Sequence, residues 1–213
     1  MRKPPSLPAG VPPGFPHAPY RMKGTMRLGV FTVADPLTVP HGVTPLLPQR
    51  LLVATIRFLE GDLRYDALWL LSLARRGHRL GNHAHQLWVN EPDVLQAAHA
   101  VWGVAPLQAA FDWDDDEVRI TPEHGGPVHL TWHARTGRSV PLSLPLSSFI
   151  WDHHKQLAYS TAFARIKEAR PTTLNAAAWP MALPRLSKPA TRLALDISRF
   201  SITVPLPRPI AAL

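Results

Sequence analysis

Proline is the residue that most constrains how this chain can fold. The sequence of 213 residues contains 24 prolines, and they are distributed over its whole length. A proline inside a helix removes a backbone hydrogen bond and clashes with the preceding turn. This distribution therefore excludes long uninterrupted helices and coiled coils, and it favours short strands joined by turns and loops.

The prolines are densest near the N-terminus, where residues 4–19 read PPSLPAGVPPGFPHAP. Such a segment favours an extended, polyproline-like conformation over a helix or a core strand. We therefore predict a proline-rich N-terminal arm over residues 1–19. The remainder, residues 20–213, is predicted to form a single domain.

Most of that domain carries the pattern of β-strands. Apolar segments rich in β-branched residues predict strands over residues 26–33 and 51–59. From residue 107 onward, turn signals separate short strand patterns at a spacing of roughly ten residues. The sequence therefore predicts a mainly β (α+β) fold, either an antiparallel barrel or a sandwich.

Two segments are predicted to be helical. One helix is expected from Pro92 to Val101, because Pro92 and Asp93 suit a first helical turn and Gly103 suits a C-terminal cap. The charged residues around Lys167 are interpreted as the surface of a second, solvated helix.

The composition excludes several classes of protein. Cysteine is absent, which removes disulfides, thiolate metal sites and cysteine nucleophiles and fits a cytoplasmic location. The net charge is +8, but the arginines are dispersed and form no basic stripe, so we expect no nucleic-acid partner. No stretch approaches the roughly 18 consecutive apolar residues that a membrane span needs, so we expect no membrane partner.

Familiar catalytic motifs are also absent. The sequence contains no Gly-x-Ser-x-Gly nucleophile elbow, no phosphate-binding Gly-x-x-x-x-Gly-Lys loop and no Gly-x-Gly-x-x-Gly fingerprint. Serine-hydrolase and nucleotide-dependent chemistry are therefore unsupported.

One histidine pair has a spacing that suits a metal ion. His83 and His85 would point the same way from a strand, and two imidazoles can bind zinc, iron or manganese when a carboxylate completes the set. Glu91 is the nearest candidate, but it is badly spaced and lies in the predicted helix cap. We therefore interpret the pair as half-buried strand histidines and expect no metal and no other cofactor.

A second group of polar residues shares one face of a predicted strand. His129, His133 and Arg135 alternate there with apolar neighbours. This face could line a barrel interior and meet an anionic ligand, or it could face water. The pattern alone leaves both possibilities open.

Several segments, taken in order, resemble acetoacetate decarboxylase-like proteins. The segment from Val89 to Pro106, VNEPDVLQAAHAVWGVAP, resembles the family's core signature of a strand, a short helix and Trp-Gly-x-Pro-Lys. Residues 18–24, 65–68, 126–141 and 204–207 resemble other family segments in the same order. The resemblance implies a cone-like antiparallel β-barrel with a few helices, a ligand pocket inside the barrel and assembly into homo-oligomers.

The resemblance fails at the residue on which the family's chemistry depends. Family members decarboxylate β-keto acids through a Schiff base on a lysine that follows the proline of the signature. Here the corresponding segment reads Ala105-Pro106-Leu107-Gln108, without a lysine. The signature's Arg-Glu pair is His99-Ala100, and the acidic residue of the family's Tyr-x-Glu strand is Ala67, with Asp66 beside it.

We therefore expect an acetoacetate decarboxylase-like protein that has lost Schiff-base decarboxylation and binds a small organic, possibly anionic, ligand. Two alternatives are a lyase or hydrolase that uses His83, His85, His99 and Glu91, and a true decarboxylase whose lysine is Lys155. The candidate pocket residues are Tyr65, Asp66, His83, His85, His99, Trp102, Pro106, Leu107, His129, His133 and Arg135.

Overall fold

The computed structural model describes residues 9–139, 141–151 and 157–210 of the chain. Within these ranges the chain is built mainly of strands. In chain order the elements are β1 (Tyr20–Thr32), β2 (Thr44–Pro45), β3 (Arg50–Gly61), β4 (Tyr65–Arg76), β5 (Arg79–Val89), α1 (Pro92–Trp102), β6 (Leu107–Trp113), β7 (Glu117–Pro122), β8 (Val128–Ala134), β9 (Leu142–Trp151), β10 (Leu157–Ala178), β11 (Ala190–Val204) and β12 (Arg208–Pro209).

Seven of these strands close into a barrel. β1 pairs with β3, β3 with β4, β4 with β5, β5 with β9, β9 with β10, β10 with β11, and β11 with β1. The predicted mainly β barrel is therefore confirmed. One detail differs, because β5 pairs in parallel with β9 and also with β6, whereas the other pairs are antiparallel.

Strands β6, β7 and β8 form a layer that covers the outer face of the barrel strands, which points away from the barrel interior. β6 joins β5 at Trp88 and Val89, and β8 joins β10 at residues 172–178. Each barrel strand beneath this layer is consequently buried on both faces, which explains the nearly continuous apolar run of β3.

Two hydrophobic cores result, one on each face of the shared strands. Along β3, Val53 belongs to the core under β6–β8, whereas its neighbour Ala54 belongs to the core inside the barrel. Successive strand residues point to opposite faces, so one strand serves both cores. We call them the packed core, under β6–β8, and the cavity-side core, inside the barrel.

The helix α1 confirms the sequence prediction for its region. It spans Pro92–Trp102, with Pro92 and Asp93 in the first turn. It ends at Gly103, whose φ of 62° is left-handed and whose amide donates to the carbonyl of His99 at 3.1 Å. Glycine reaches this conformation without steric cost, which is why the helix ends there.

The prediction of a helix around Lys167 is wrong. Lys167 lies in β10, a strand of 22 residues. Ala164 and Ile166 are buried in the cavity-side core while Arg165 and Lys167 are exposed. This period of two is the strand pattern, and it overrides the helix-like local charge.

The described part of the proline-rich arm packs against the barrel. Phe15 is 7% exposed, belongs to the cavity-side core, and makes an edge-to-face contact with Tyr20 of β1 at 5.9 Å. Tyr20 in turn contacts Trp102 of α1 at 5.3 Å. Residues 9–19 therefore help to close one end of the barrel; the division into an arm and a domain stays a prediction.

Candidate active site and cavity

The barrel encloses a cavity of about 230 Å³. Side chains from all seven barrel strands, from α1, from the loop after α1 and from the connection between β3 and β4 line it. Its larger apolar lining residues are Met22, Met26, Leu28, Leu52, Phe58, Leu63, Trp69, Leu71, Leu87, Trp102, Pro106, Leu146, Phe149, Ile150 and Ile202.

The polar groups that reach the cavity are few and uncharged. Besides the two indoles, they are the side chains of Tyr65, Asn82, Ser148 and Ser160. Burial raises the pKa of the Tyr65 phenol above its ordinary value, so this group stays neutral at physiological pH. No aspartate, glutamate, histidine, lysine or arginine is among the described residues that line the cavity.

The described lysines lie away from the cavity. Lys23 is paired with Glu60 at 2.8 Å on the surface, and Lys167 and Lys188 are exposed. Where the family signature has its lysine, Pro106 lines the cavity and Leu107 is 48% exposed. Lys155, the proposed substitute, falls outside the described residues.

The candidates from the β4 segment separate because neighbouring strand residues face opposite ways. Tyr65 lines the cavity, whereas Asp66 lies on the opposite face, 3.6 Å from Arg57 and hydrogen bonded to Asn90. Burial raises the pKa of Asp66, while Trp113 and Arg57 act in the opposite direction. Of the predicted pocket residues, the cavity brings together Tyr65, Trp102 and Pro106.

His83 and His85 lie together beside the cavity. Their rings meet edge to face at 5.0 Å, and Nε2 of His85 shares a 2.8 Å hydrogen bond with the buried hydroxyl of Ser72. Burial lowers the pKa of His83 to about 4, with a smaller contribution from His85, and burial also lowers the pKa of His85. Both imidazoles are therefore neutral at pH 7.

The other predicted polar candidates lie apart from this pair. His99 is exposed on α1, and His129 bonds to Glu117 at 2.9 Å between β7 and β8. His133 of β8 and Arg135, which follows the end of β8, are both exposed, so these side chains point to solvent instead of into the barrel. The described residues therefore do not form one acid–base site from His83, His85, His99 and Glu91.

The described residues also give two findings on metal and membrane. No group of three histidine, aspartate or glutamate side chains among them is arranged to hold a metal ion. None of the helices in the described ranges has the length and hydropathy of a membrane span.

The cavity lining was mostly missed by the sequence analysis. Asn82, Ser148 and Ser160 are single polar residues within strand patterns, and no motif distinguishes them from surface residues. The apolar wall carried a signal, the alternation of each strand, but alternation does not tell which face is inside.

Solved structures of known proteins share this architecture, although the sequence itself has no match among family models. Neither the known protein-family models nor the curated proteins match the sequence. Solved structures do match, as with an acetoacetate decarboxylase from Legionella pneumophila subsp. pneumophila str. Philadelphia 1, with a TM-score of 0.67, 14% identity, and coverage of 92% of this chain and 88% of that one.

Two further matches are an enduracididine biosynthesis enzyme and an acetoacetate decarboxylase-like enzyme. The enduracididine biosynthesis enzyme MppR, complexed with pyruvate, has a TM-score of 0.64 and 11% identity, with 91% of each chain covered. An acetoacetate decarboxylase-like enzyme from Sphingomonas wittichii RW1 has a TM-score of 0.58 and 14% identity, with 91% of this chain and 93% of that one covered. Over about nine-tenths of its length, the chain therefore has the acetoacetate decarboxylase-like fold.

Proposed function

We propose that this protein is a decarboxylase-like barrel without Schiff-base chemistry, and that it binds an uncharged, largely apolar small molecule in its cavity. The observation that carries the proposal is the cavity lining, which combines apolar walls with a few neutral hydrogen-bonding groups. This composition is typical of small-molecule sites.

The same lining argues against a β-keto acid as substrate. A carboxylate moved from water into an apolar cavity loses its hydration, and the cost is several kcal/mol or more unless a cation or donors replace the water. No described cation reaches the cavity. Imine formation also needs a neutral primary amine at the reacting carbon, and Pro106 and Leu107 supply none.

Toluene binding tests the proposal directly. An apolar cavity of about 150 Å³ is enough to bind benzene in an engineered protein, and this one has about 230 Å³. We expect saturable toluene binding by calorimetry or ligand-observed NMR. Ala162→Leu fills part of the cavity and should weaken binding at least tenfold, whereas Ala177→Leu, on an exposed position of the same strand, should leave it unchanged. Wild-type protein that fails to bind toluene contradicts the proposal.

The loss of Schiff-base chemistry has its own test. Incubation with acetoacetate and borohydride should leave the intact mass unchanged, because the described lysines lie on the surface. A stoichiometric adduct that maps to Lys155 would show instead that the protein is a decarboxylase with a relocated lysine.

We also propose that the protein self-associates. Phe163 and Leu193 are 64% and 68% exposed on the neighbouring strands β10 and β11, where an isolated barrel would present them to water. Light scattering at micromolar concentration should give a mass above the 23.6 kDa of one chain. A monomer under these conditions contradicts this part of the proposal.

A further inference from the structure

Three polar residues lie side by side on neighbouring strands of the barrel. Asn82 of β5 pairs with Ser148 of β9, and Ser148 pairs with Ser160 of β10. All three line the cavity. Residues that pair across neighbouring strands lie roughly 5 Å apart, so the three form one short row, which we call the polar row.

The opposite face of β9 and β10 shows which way the two serines point. Ser147 and Thr161 share a hydrogen bond of 3.1 Å between their hydroxyls, and neither is among the described residues of the cavity lining. Successive strand residues point to opposite faces, so their chain neighbours Ser148 and Ser160 point into the barrel. Within the described part of the chain, the hydroxyls of Ser148 and Ser160 have no hydrogen-bond partner, which leaves both available to a ligand.

The third member of the polar row adds an acceptor. Nδ2 of Asn82 donates to the backbone carbonyl of Ser147 at 3.3 Å. A carbonyl accepts but cannot donate, so this bond fixes which amide atom is the nitrogen. Oδ1 is buried and has no hydrogen-bond partner among the described residues. Its partial negative charge is therefore uncompensated, and the row favours a ligand that brings a hydrogen-bond donor.

The cavity wall on both sides of the polar row is apolar. Ala84 and Ile150 line it on one side of the row, and Leu146 and Ala162 line it on the other. A ligand can therefore hydrogen bond at the row with one polar group while the rest of its surface contacts apolar side chains.

We propose that the polar row holds the hydroxyl group of an alcohol or a phenol, whose apolar body fills the rest of the cavity. The oxygen of the ligand accepts from the serine hydroxyls, and its hydrogen points towards Oδ1 of Asn82. A hydroxyl both donates and accepts, whereas an ether oxygen only accepts and would face Oδ1 with no hydrogen between them. This inference rests on the function proposed above and specifies the ligand class.

The test uses three related ligands. p-Cresol is toluene with an added hydroxyl group, and 4-methylanisole is the methyl ether of p-cresol, which lacks the donor. A phenol ionises at about pH 10, so p-cresol is neutral at pH 7. Calorimetric titration of the wild-type protein with each ligand at pH 7 gives the reference affinities.

The double variant Ser148→Ala/Ser160→Ala removes both hydroxyls from the polar row. Loss of one hydrogen bond weakens binding about fivefold. We therefore expect p-cresol to lose at least that factor and toluene to bind unchanged. The matched control is Ser147→Ala/Thr161→Val, which removes the bonded hydroxyl pair from the opposite face of the same two strands and should bind both ligands as the wild type does.

The variant Asn82→Leu tests the preference for a donor. It roughly keeps the size of the side chain but removes the acceptor, and we expect the preference for p-cresol over 4-methylanisole to fall about fivefold. Because the variant also loses the bond to the carbonyl of Ser147, its toluene affinity shows whether the cavity is disturbed. We expect that affinity to equal the wild-type value.

The outcomes separate the two proposals. Wild-type protein that binds no toluene contradicts the cavity-binding function itself. If toluene binds but p-cresol affinity is equal in the wild type and the serine double variant, the polar row does not hold the hydroxyl. A variant that weakens toluene by the same factor as p-cresol also overturns the assignment, because its effect is not specific to the hydroxyl. An unchanged preference for p-cresol over 4-methylanisole in Asn82→Leu overturns the need for a donor.

Discussion

The two faces of the barrel strands differ in how tightly their side chains pack: one face forms the packed core, and the other borders the cavity. On β4, Leu70 is fully buried in the packed core, whereas the next residue, Leu71, lines the cavity and is half-buried. The packed core is closed by β6–β8, and the cavity-side core is closed by α1, β9 and the described part of the arm.

The difference comes from side-chain size and from what fills each face. Over the packed core, Arg27 lies 4.8 Å from the ring of Trp132 and Arg57 lies 5.1 Å from that of Trp113, so long side chains occupy the space. On the cavity side, alanines take positions where larger residues would meet, among them Ala54, Ala84, Ala98 and Ala162. Small side chains on a rigid barrel leave the space in which a ligand can bind.

Truncation of the adjacent leucines Leu70 and Leu71 on β4 should give the largest difference in stability between the two cores. Leu70→Ala creates a void in the packed core and should lower the free energy of unfolding by about 2–5 kcal/mol. Leu71→Ala removes atoms that already border empty space, and we expect a loss of about 1 kcal/mol. Urea denaturation measures both, and equal losses would contradict a dry core next to a real cavity.

Acidification should lower the free energy of unfolding through His83, beside the cavity, and raise it through Asp66, on the face of the packed core. The folded-state pKa of His83 is lowered from 6.5 to about 4, so unfolding takes up a proton between these values and stability is lost as pH falls through that window. The added slope approaches about 1.4 kcal/mol per pH unit. The raised pKa of Asp66 has the opposite sign: its stabilising contribution is present at low pH and is lost as pH rises through the folded-state pKa.

Urea denaturation at several pH values tests the histidine effect. His83→Gln should be less sensitive than the wild type to acidification from pH 6.5 to about 4. His78→Gln, in the exposed turn, is the control and should behave as the wild type. An identical pH slope for His83→Gln and wild type would show that His83 is not the group responsible.

Adding volume to a side chain should destabilise the packed core but not the cavity-side core. Ala176→Leu on β10 inserts three carbons into the packed core, where overpacking costs about 1–3 kcal/mol. Ala162→Leu on the same strand adds the same atoms to the cavity and should leave the melting temperature unchanged or slightly raised. Thermal unfolding of both variants measures the contrast, and a lower melting temperature for Ala162→Leu than for Ala176→Leu would reverse it.

Much of the fold was predictable, because the signals for it are local. Alternation gave the strands, and Pro92, Asp93 and Gly103 fixed the helix. The parallel contact of β5 with β9 was not predictable, since it joins His83 to Phe149 and no local signal records such a distant pairing. Near Lys167, local charge was misleading where the period of two was correct.

The candidate site was predictable only through family resemblance. That resemblance pointed to Tyr65, Trp102 and Pro106, which line the cavity. The absence of charge in the described lining could not be read from single strands, because every barrel strand except β9 contains charged residues. Asp66 and Tyr65 are neighbours in sequence, and only the orientation of β4 decides which of them meets the cavity.

The smallest effect concerns charge in the packed core. Nε of Arg27 lies 2.8 Å from Asp196, and their side chains are 16% and 27% exposed. Desolvation lowers the pKa of Arg27 and Asp196 raises it, so the carboxylate compensates a cation that is stacked on Trp132. Asp196→Asn keeps the shape of the side chain but removes its charge. We expect the free energy of unfolding to fall by about 1–2 kcal/mol, which is less than the 3–5 kcal/mol of fully buried pairs because water still reaches both groups.

The control is an ion pair on the surface. The side chains of Lys23 and Glu60 are 66% and 64% exposed, so Glu60→Gln, which breaks their pair, should leave urea denaturation unchanged. Equal behaviour of the two variants would mean that the packed core tolerates an uncompensated arginine, and that the lack of charge on the cavity side does not follow from a cost of burial.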